Sequence, residues 1–113
     1  MSAKANIPSA EPLELASLIT YTEDGISSRV ISQTPGGSVT LFAFDKGQEL
    51  SEHTAPFEVL LSVLEGTLAV TVSGTRVRVA SGEVVRIPSG ATHSLQSPTR
   101  SKMMLVMLRG RTG

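Results

Sequence analysis

The chain has 113 residues, with ten Lys and Arg against ten Asp and Glu, for a formal net charge of zero. That balance excludes the basic footprint that nucleic acid or an anionic membrane demands, and three Phe, one Tyr and no Trp leave no platform for base stacking. The absence of Cys removes disulfides, thiolate metal sites and cysteine nucleophiles together. A single domain is expected at this length.

Residues 1–12 mix small and polar side chains with two prolines and read as a flexible amino-terminal arm, with one domain over residues 13–113. The arm lacks the apolar core of a signal peptide, and no apolar run reaches the ~18 residues of a membrane span. The expectation is therefore a cytoplasmic protein, with no membrane and no nucleic acid as partner. Leu13 to Tyr21 is ambiguous between helix and strand, and its β-branched, aromatic end leans towards strand. Ser27 to Ser32 suggests an edge-like strand, and Pro35-Gly36-Gly37 breaks it. Val39 to Phe44, Phe57 to Leu64, Thr67 to Ser73, Arg76 to Val79 and Met103 to Leu108 follow as strands separated by Gly-containing turns. Short strands at regular spacing with no firm helix predict an all-β sandwich or barrel.

The most informative stretch is Gly82 to Ser97. Val84, Val85 and Ile87 are β-branched and suit a largely buried strand, which Pro88 ends for want of an N–H. Gly90 permits a sharp turn, and the chain restarts with His93 and Leu95 on one face and Ser94 and Gln96 on the other. A histidine fixed at a strand mouth is placed to act as a ligand or a base.

The spacing Gly82-x5-Pro88-x-Gly90-x2-His93 resembles the second signature motif of the cupin superfamily, with Ser97 where Asn is usual. Upstream, Gly47, His53 and Gly66 fall in register with the first cupin motif, while Ala55 and Val59 stand where its second His and its Glu belong. The stretch SEHTAPFEVLLSVLEG is similar to a subgroup of small RmlC-like cupins carrying H-T-A-P-F-[DE] in place of the usual ligands. The resemblance runs from Gly47 to Ser97. It implies a cupin-type jelly-roll barrel (a double-stranded β-helix) of six to eight strands, open at one end, with the motif histidines inward near the mouth. It also points to a homodimer.

The ligands of a cupin metal site share strand parity, and counting in twos from His53 gives Ala55, Phe57 and Val59. His53 and His93 thus remain as candidate ligands for one divalent transition metal ion, such as Fe, Mn, Zn, Ni or Cu. Glu58 lies one residue out of phase and reaches the site only if Pro56 introduces a bulge. Two ligands imply weaker binding than the usual three, and a site with no metal remains open. Paired histidines also suit acid–base work near neutral pH, and some RmlC-like epimerases are metal-free. Phe57, Val59, Leu61 and Val63 are expected on the histidine face, with Phe57 and Val59 as walls of a substrate pocket. Met103, Met104 and Met107 lie in a run apolar on both faces, covered outside either by a subunit partner or by the chain's own amino-terminal strand. Two functions follow: a metal-dependent enzyme of dioxygenase or isomerase type acting on a small molecule, or a non-catalytic small-molecule binding or sensing protein with a degenerate metal site.

Overall fold

The computed structural model describes residues 4–5 and 7–110. Of the amino-terminal arm, residues 1–3 and 6 lie outside the described residues. Lys4–Ala5 forms a two-residue strand, β1. The further strands are β2 (Ile26–Thr34), β3 (Gly37–Phe44), β4 (Glu49–His53), β5 (Glu58–Glu65), β6 (Thr67–Val72), β7 (Thr75–Ala80), β8 (Val84–Ile87), β9 (His93–Gln96) and β10 (Ser101–Leu108).

The strands form two antiparallel sheets. The larger has the order β1-β2-β3-β10-β5-β8 and the smaller β4-β9-β6-β7. From β3 to β6 and from β7 to β10 successive strands alternate between the sheets, which gives the jelly-roll barrel expected from the sequence; the described residues form ten strands, the first only two residues long, where six to eight were expected. Period-two burial fixes the inner face. In β5, Val59, Leu61 and Val63 are buried while Glu58, Leu60 and Ser62 are less so, as the parity count required. These three join Phe44, Leu68, Val70, Val79, Ile87, Leu95 and Met103 in one cluster between the sheets. Each such side chain contributes about 1.5–3 kcal/mol by leaving water, against about 0–1 kcal/mol for a surface ion pair, so the interior holds the barrel.

Leu13 to Tyr21 is not a strand. Leu15–Leu18 makes one 3₁₀ turn, with the Ser17 amide donating to the Glu14 carbonyl at 3.1 Å. Leu15, Leu18 and Ile19 recur at helical spacing, and they pack on a second cluster made by Ile31, Leu41 and Ala43 on the outside of the larger sheet. Tyr21, Val39, Leu64 and Met104 complete that layer. The chain's own amino-terminal segment thus covers the outward Met104, while Met103 and Met107 face the inner cluster.

Hydrogen bonds at one end draw the turns together. The Gly47 amide donates to the Ser97 carbonyl at 2.7 Å, and the Ser97 amide donates to the Gln48 carbonyl at 2.8 Å. Asp45 accepts from Arg100 Nε at 2.9 Å and from the Asp24 amide at 2.7 Å. Those contacts hold the Asp45 carboxyl down to about 2, the Arg100 hydrogen bond contributing most. Arg100 also stacks on Tyr21 at 4.8 Å, and the Tyr21 hydroxyl donates to Glu65. Burial first, and then the Glu65 contact, push the Tyr21 phenol well above its ordinary range. Gly66, with φ of +77°, passes so close to the Arg100 carbonyl that a Cβ would lie 2.2 Å from it.

Candidate functional site

The opposite end carries the histidines. His93 opens β9 because Pro88, Ser89 and Gly90 make the turn predicted between two strands. The Ala91 amide donates to the Pro88 carbonyl at 3.1 Å, and Gly90 takes φ of +81°. Two neighbouring loops brace the turn: the Gly90 amide donates to the Ala55 carbonyl and the Ser73 amide to the Thr92 carbonyl, both at 2.8 Å. His93 and Leu95 then face inward, with only 8% and 4% exposure.

His53 arrives by a less obvious route. Leu50 pairs with Leu95, and His53 pairs with His93, so three steps along β4 match two along β9. This bulge at Ser51–Glu52 changes the phase of β4. Leu50 packs on the inner cluster, and in a regular strand the side chain three positions later would point away. With it, the His53 and His93 rings come within 4.1 Å, centroid to centroid, tilted by 60°. His53 remains exposed at the mouth, whereas His93 lies behind it.

Both rings are held in the same way. His53 Nδ1 lies 2.7 Å from the Ser51 carbonyl and His93 Nδ1 lies 3.0 Å from the Ala91 carbonyl, each two residues back. A carbonyl only accepts, so in the neutral rings Nδ1 carries the proton and Nε2 keeps its lone pair. Among the described residues no buried side-chain nitrogen or oxygen lacks a partner. His93 Nε2 has no such partner, so it must keep an opening to solvent. The mouth therefore presents two acceptor nitrogens, backed by Val72, the cross-strand neighbour of His93 on β6.

Glu58 is not at this site. It pairs through Oε1 with Arg86 Nη1 at 2.7 Å on the outside of the larger sheet. Pro56 introduces no phase shift: Ala55, Phe57 and Val59 all pack towards the interior, leaving Glu58 on the other face as the parity count from His53 placed it. The bulge lies in β4 instead. Val59 belongs to the buried cluster, opposite Ile87 and Met107. Phe57 stands at the rim, its outer side under the Arg109 guanidinium at 5.2 Å. Pro56, Phe57, Glu58, Ser89, Leu108 and Arg109 border an open groove of about 560 Å³ beside the loop that follows His53. Sequence reasoning missed Arg109; its only signal was a cation at the end of an apolar strand.

The chain is thus a small β-barrel of two antiparallel sheets with paired histidines at one end. A family model described as the cupin domain matches residues 40–109, and the chain belongs to the cupin family. Its structure is similar to that of a conserved protein of unknown function from Streptococcus pyogenes, with 30% identity over 99% of this chain and 98% of that one and a TM-score of 0.90. It is also similar to a cupin superfamily protein from Desulfitobacterium hafniense, with 28% identity, 93% and 96% coverage and a TM-score of 0.87. A salicylate 1,2-dioxygenase from Pseudoaminobacter salicylatoxidans shares the fold at 19% identity over 74% of this chain and 26% of that one, with a TM-score of 0.69. No curated protein matches the chain.

The residues present do not fit a resident metal centre of the kind the motif describes. Ala55 and Val59 occupy two ligand positions, Glu58 is committed to Arg86, and no group of three or more His, Cys, Asp or Glu converges among the described residues. Two imidazole rings are what the mouth offers.

Proposed function

We propose that this protein is a small-molecule binding or sensing cupin whose site is the barrel mouth at His53 and His93. The observation that carries this reading is the pairing itself. Two rings lie 4.1 Å apart at one end of the barrel, each with Nδ1 on a backbone carbonyl and Nε2 left uncommitted. These nitrogens accept hydrogen bonds from a ligand, while Phe57 supplies apolar contact at the rim. The neighbouring apolar side chains exclude water and so strengthen those few polar contacts.

The second reading, a metal-dependent enzyme of dioxygenase or isomerase type, is favoured by the same Nδ1 contacts. A histidine that ligates a metal usually donates its other nitrogen to a carbonyl or carboxylate. The apolar residues at Ala55 and Val59 weigh against a resident ion, and the binding reading is therefore preferred.

The test is an NMR ligand screen on the full chain, repeated on His53→Ala and His93→Ala. Small molecules that perturb amides around His53, Phe57 and His93 in the parent should lose that effect in both variants while the folded spectrum persists. Ligands that bind equally well to both folded variants would place the site elsewhere.

A further inference from the structure

The two sheets end in four edge strands, and three of these are blunted. β1 is two residues long, β8 is four residues long and stopped by Pro88, and β4 carries the bulge. β7 is different. It runs for six residues beside β6 with no register shift, and Thr75, Arg76, Val77 and Arg78 are all exposed.

Hydrogen bonds at one end of β7 fix which way its backbone points. The Ala80 amide donates to Glu83 Oε1 at 2.8 Å, and the Ala80 carbonyl accepts from the Glu83 amide at 2.9 Å. Thr67, opposite Ala80 on β6, turns its own amide and carbonyl to Ser101 Oγ instead. Thr67 and Ala80 are therefore a non-hydrogen-bonded pair. The alternation of an antiparallel ladder puts Ala69–Arg78 and Thr71–Arg76 in the same class. The amides and carbonyls of Arg76 and Arg78 thus point away from β6, along the open edge. Among the described residues nothing bonds to them.

An extended segment laid antiparallel on this edge meets a defined pattern. The residues that exchange hydrogen bonds with Arg76 and Arg78 lie opposite them, two apart, with side chains on the same outer face. Opposite charge is favoured at both places. Arg76 donates to the neutral Gln96 at 2.9 Å, which itself donates to the Glu49 carboxylate at 3.3 Å. Arg78 has no ion pair among the described residues. The residue between the two faces Val77, an apolar side chain with 37% exposure.

A second copy does not suit the edge. Two β7 strands paired about Val77 would set Arg76 against Arg78 on both sides, and like charges directly opposite are unfavourable. Nor does the sequence hold two acidic residues spaced i, i+2. We propose that β7 is the docking edge for a different polypeptide, an extended segment with an acidic residue on either side of an apolar one. It adds a further strand to the smaller sheet. Backbone bonds at Arg76 and Arg78 attach it, and the two guanidinium groups select it over neutral or basic strands. This surface is separate from the histidine pair.

The experiment is an NMR titration of the full chain with three end-blocked peptides. The first is TVEVEVT, the second its lysine counterpart TVKVKVT, and the third TVEVEVT with both glutamate amides N-methylated. The acidic peptide should shift the Arg76 and Arg78 amides and slow their hydrogen exchange. It should bind about tenfold more tightly than the lysine peptide, as two reversed cross-strand charge pairs allow. N-methylation removes the donors that face β7 and should abolish binding. The double substitution Arg76→Glu and Arg78→Glu should invert the preference. Arg78→Pro removes an outward N–H that β6 does not use, a change that edge strands tolerate, and should abolish binding in a chain that still folds. Should that variant not fold, the N-methylated peptide makes the same test from the ligand side.

His53→Ala and His93→Ala should leave peptide binding unchanged, so failure here and failure of the binding reading of the mouth are separate results. Equal binding of the acidic and lysine peptides overturns the proposal. Equal binding of the N-methylated peptide also overturns it, since the arginines would then be a charged patch and not a docking edge. Concentration-dependent shifts at Arg76 to Arg78 without peptide would make a second copy the occupant and overturn it as well.

Discussion

The two ends of the barrel are built from opposite chemistry. At the closed end, Asp45, Arg100, Tyr21 and Glu65 are joined to one another, and Ser101 Oγ both accepts from the Thr67 amide and donates to the Thr67 carbonyl. At the mouth, the polar side chains are only half committed. Each histidine gives one nitrogen to its own backbone and leaves the other free. Satisfied groups hold a fold, whereas free acceptors in a sheltered opening are available to a ligand. The difference separates what keeps the barrel shut from what lets it act.

Substitutions at the two ends sharpen that separation. The largest effect is expected from Gly66→Ala at the closed end. The added Cβ would lie 2.2 Å from the Arg100 carbonyl and 2.6 Å from Ser101 Oγ, on backbone at positive φ. Loss of about 3 kcal/mol or more is expected in urea unfolding, because backbone cannot yield as a flexible side chain does. Ser101→Ala should cost about 1–3 kcal/mol by the same measurement, since it orphans the Thr67 amide and carbonyl in a buried place.

At the mouth the order of effects reverses. His93→Ala should cost about 1–2 kcal/mol through lost packing, and His53→Ala, at an exposed position, less than about 0.5 kcal/mol. Both should abolish ligand binding. A closed-end variant that loses binding while still folded, or a mouth substitution that unfolds the chain, would break the division.

The smallest effect is a pH dependence. The folded state holds Asp45 down to about 2, from an ordinary 3.8, chiefly through the Arg100 hydrogen bond. A depressed carboxyl contributes stability that is present above its unfolded value and is lost as pH falls from about 4 towards 2. Thermal melts across that window should fall more steeply for the parent than for Asp45→Asn. Equal slopes would mean that this contact does not govern acid sensitivity.

Much of the fold was legible because strands and their turns are local. Val84 to Ile87, the Pro88–Gly90 turn and the inward parity of His93 and Leu95 depend on nearest neighbours alone. The parity of Val59, Leu61 and Val63 also carried across correctly from His53, which places Glu58 outside. What resisted reading was decided by tertiary contact. The amino-terminal LASL turn is a 3₁₀ helix because the outer face of the larger sheet needs a cover. β4 has too polar a sequence to announce itself as a strand, and its bulge is visible only against β9. Ser97, at the position where the family motif has Asn, is buried at the closed end, where its backbone pairs with Gly47 and Gln48. In this chain that position therefore concerns closure rather than the histidines.

The bulge at Ser51–Glu52 makes the site sensitive to length rather than to composition. Inserting a single residue between the bulge and His53 would put the new side chain opposite His93 and turn His53 one position out of phase, towards solvent. Every side chain of the mouth would still be encoded, and the large sheet would be untouched. In this barrel, a one-codon change in chain length is enough to separate possession of the two histidines from their use.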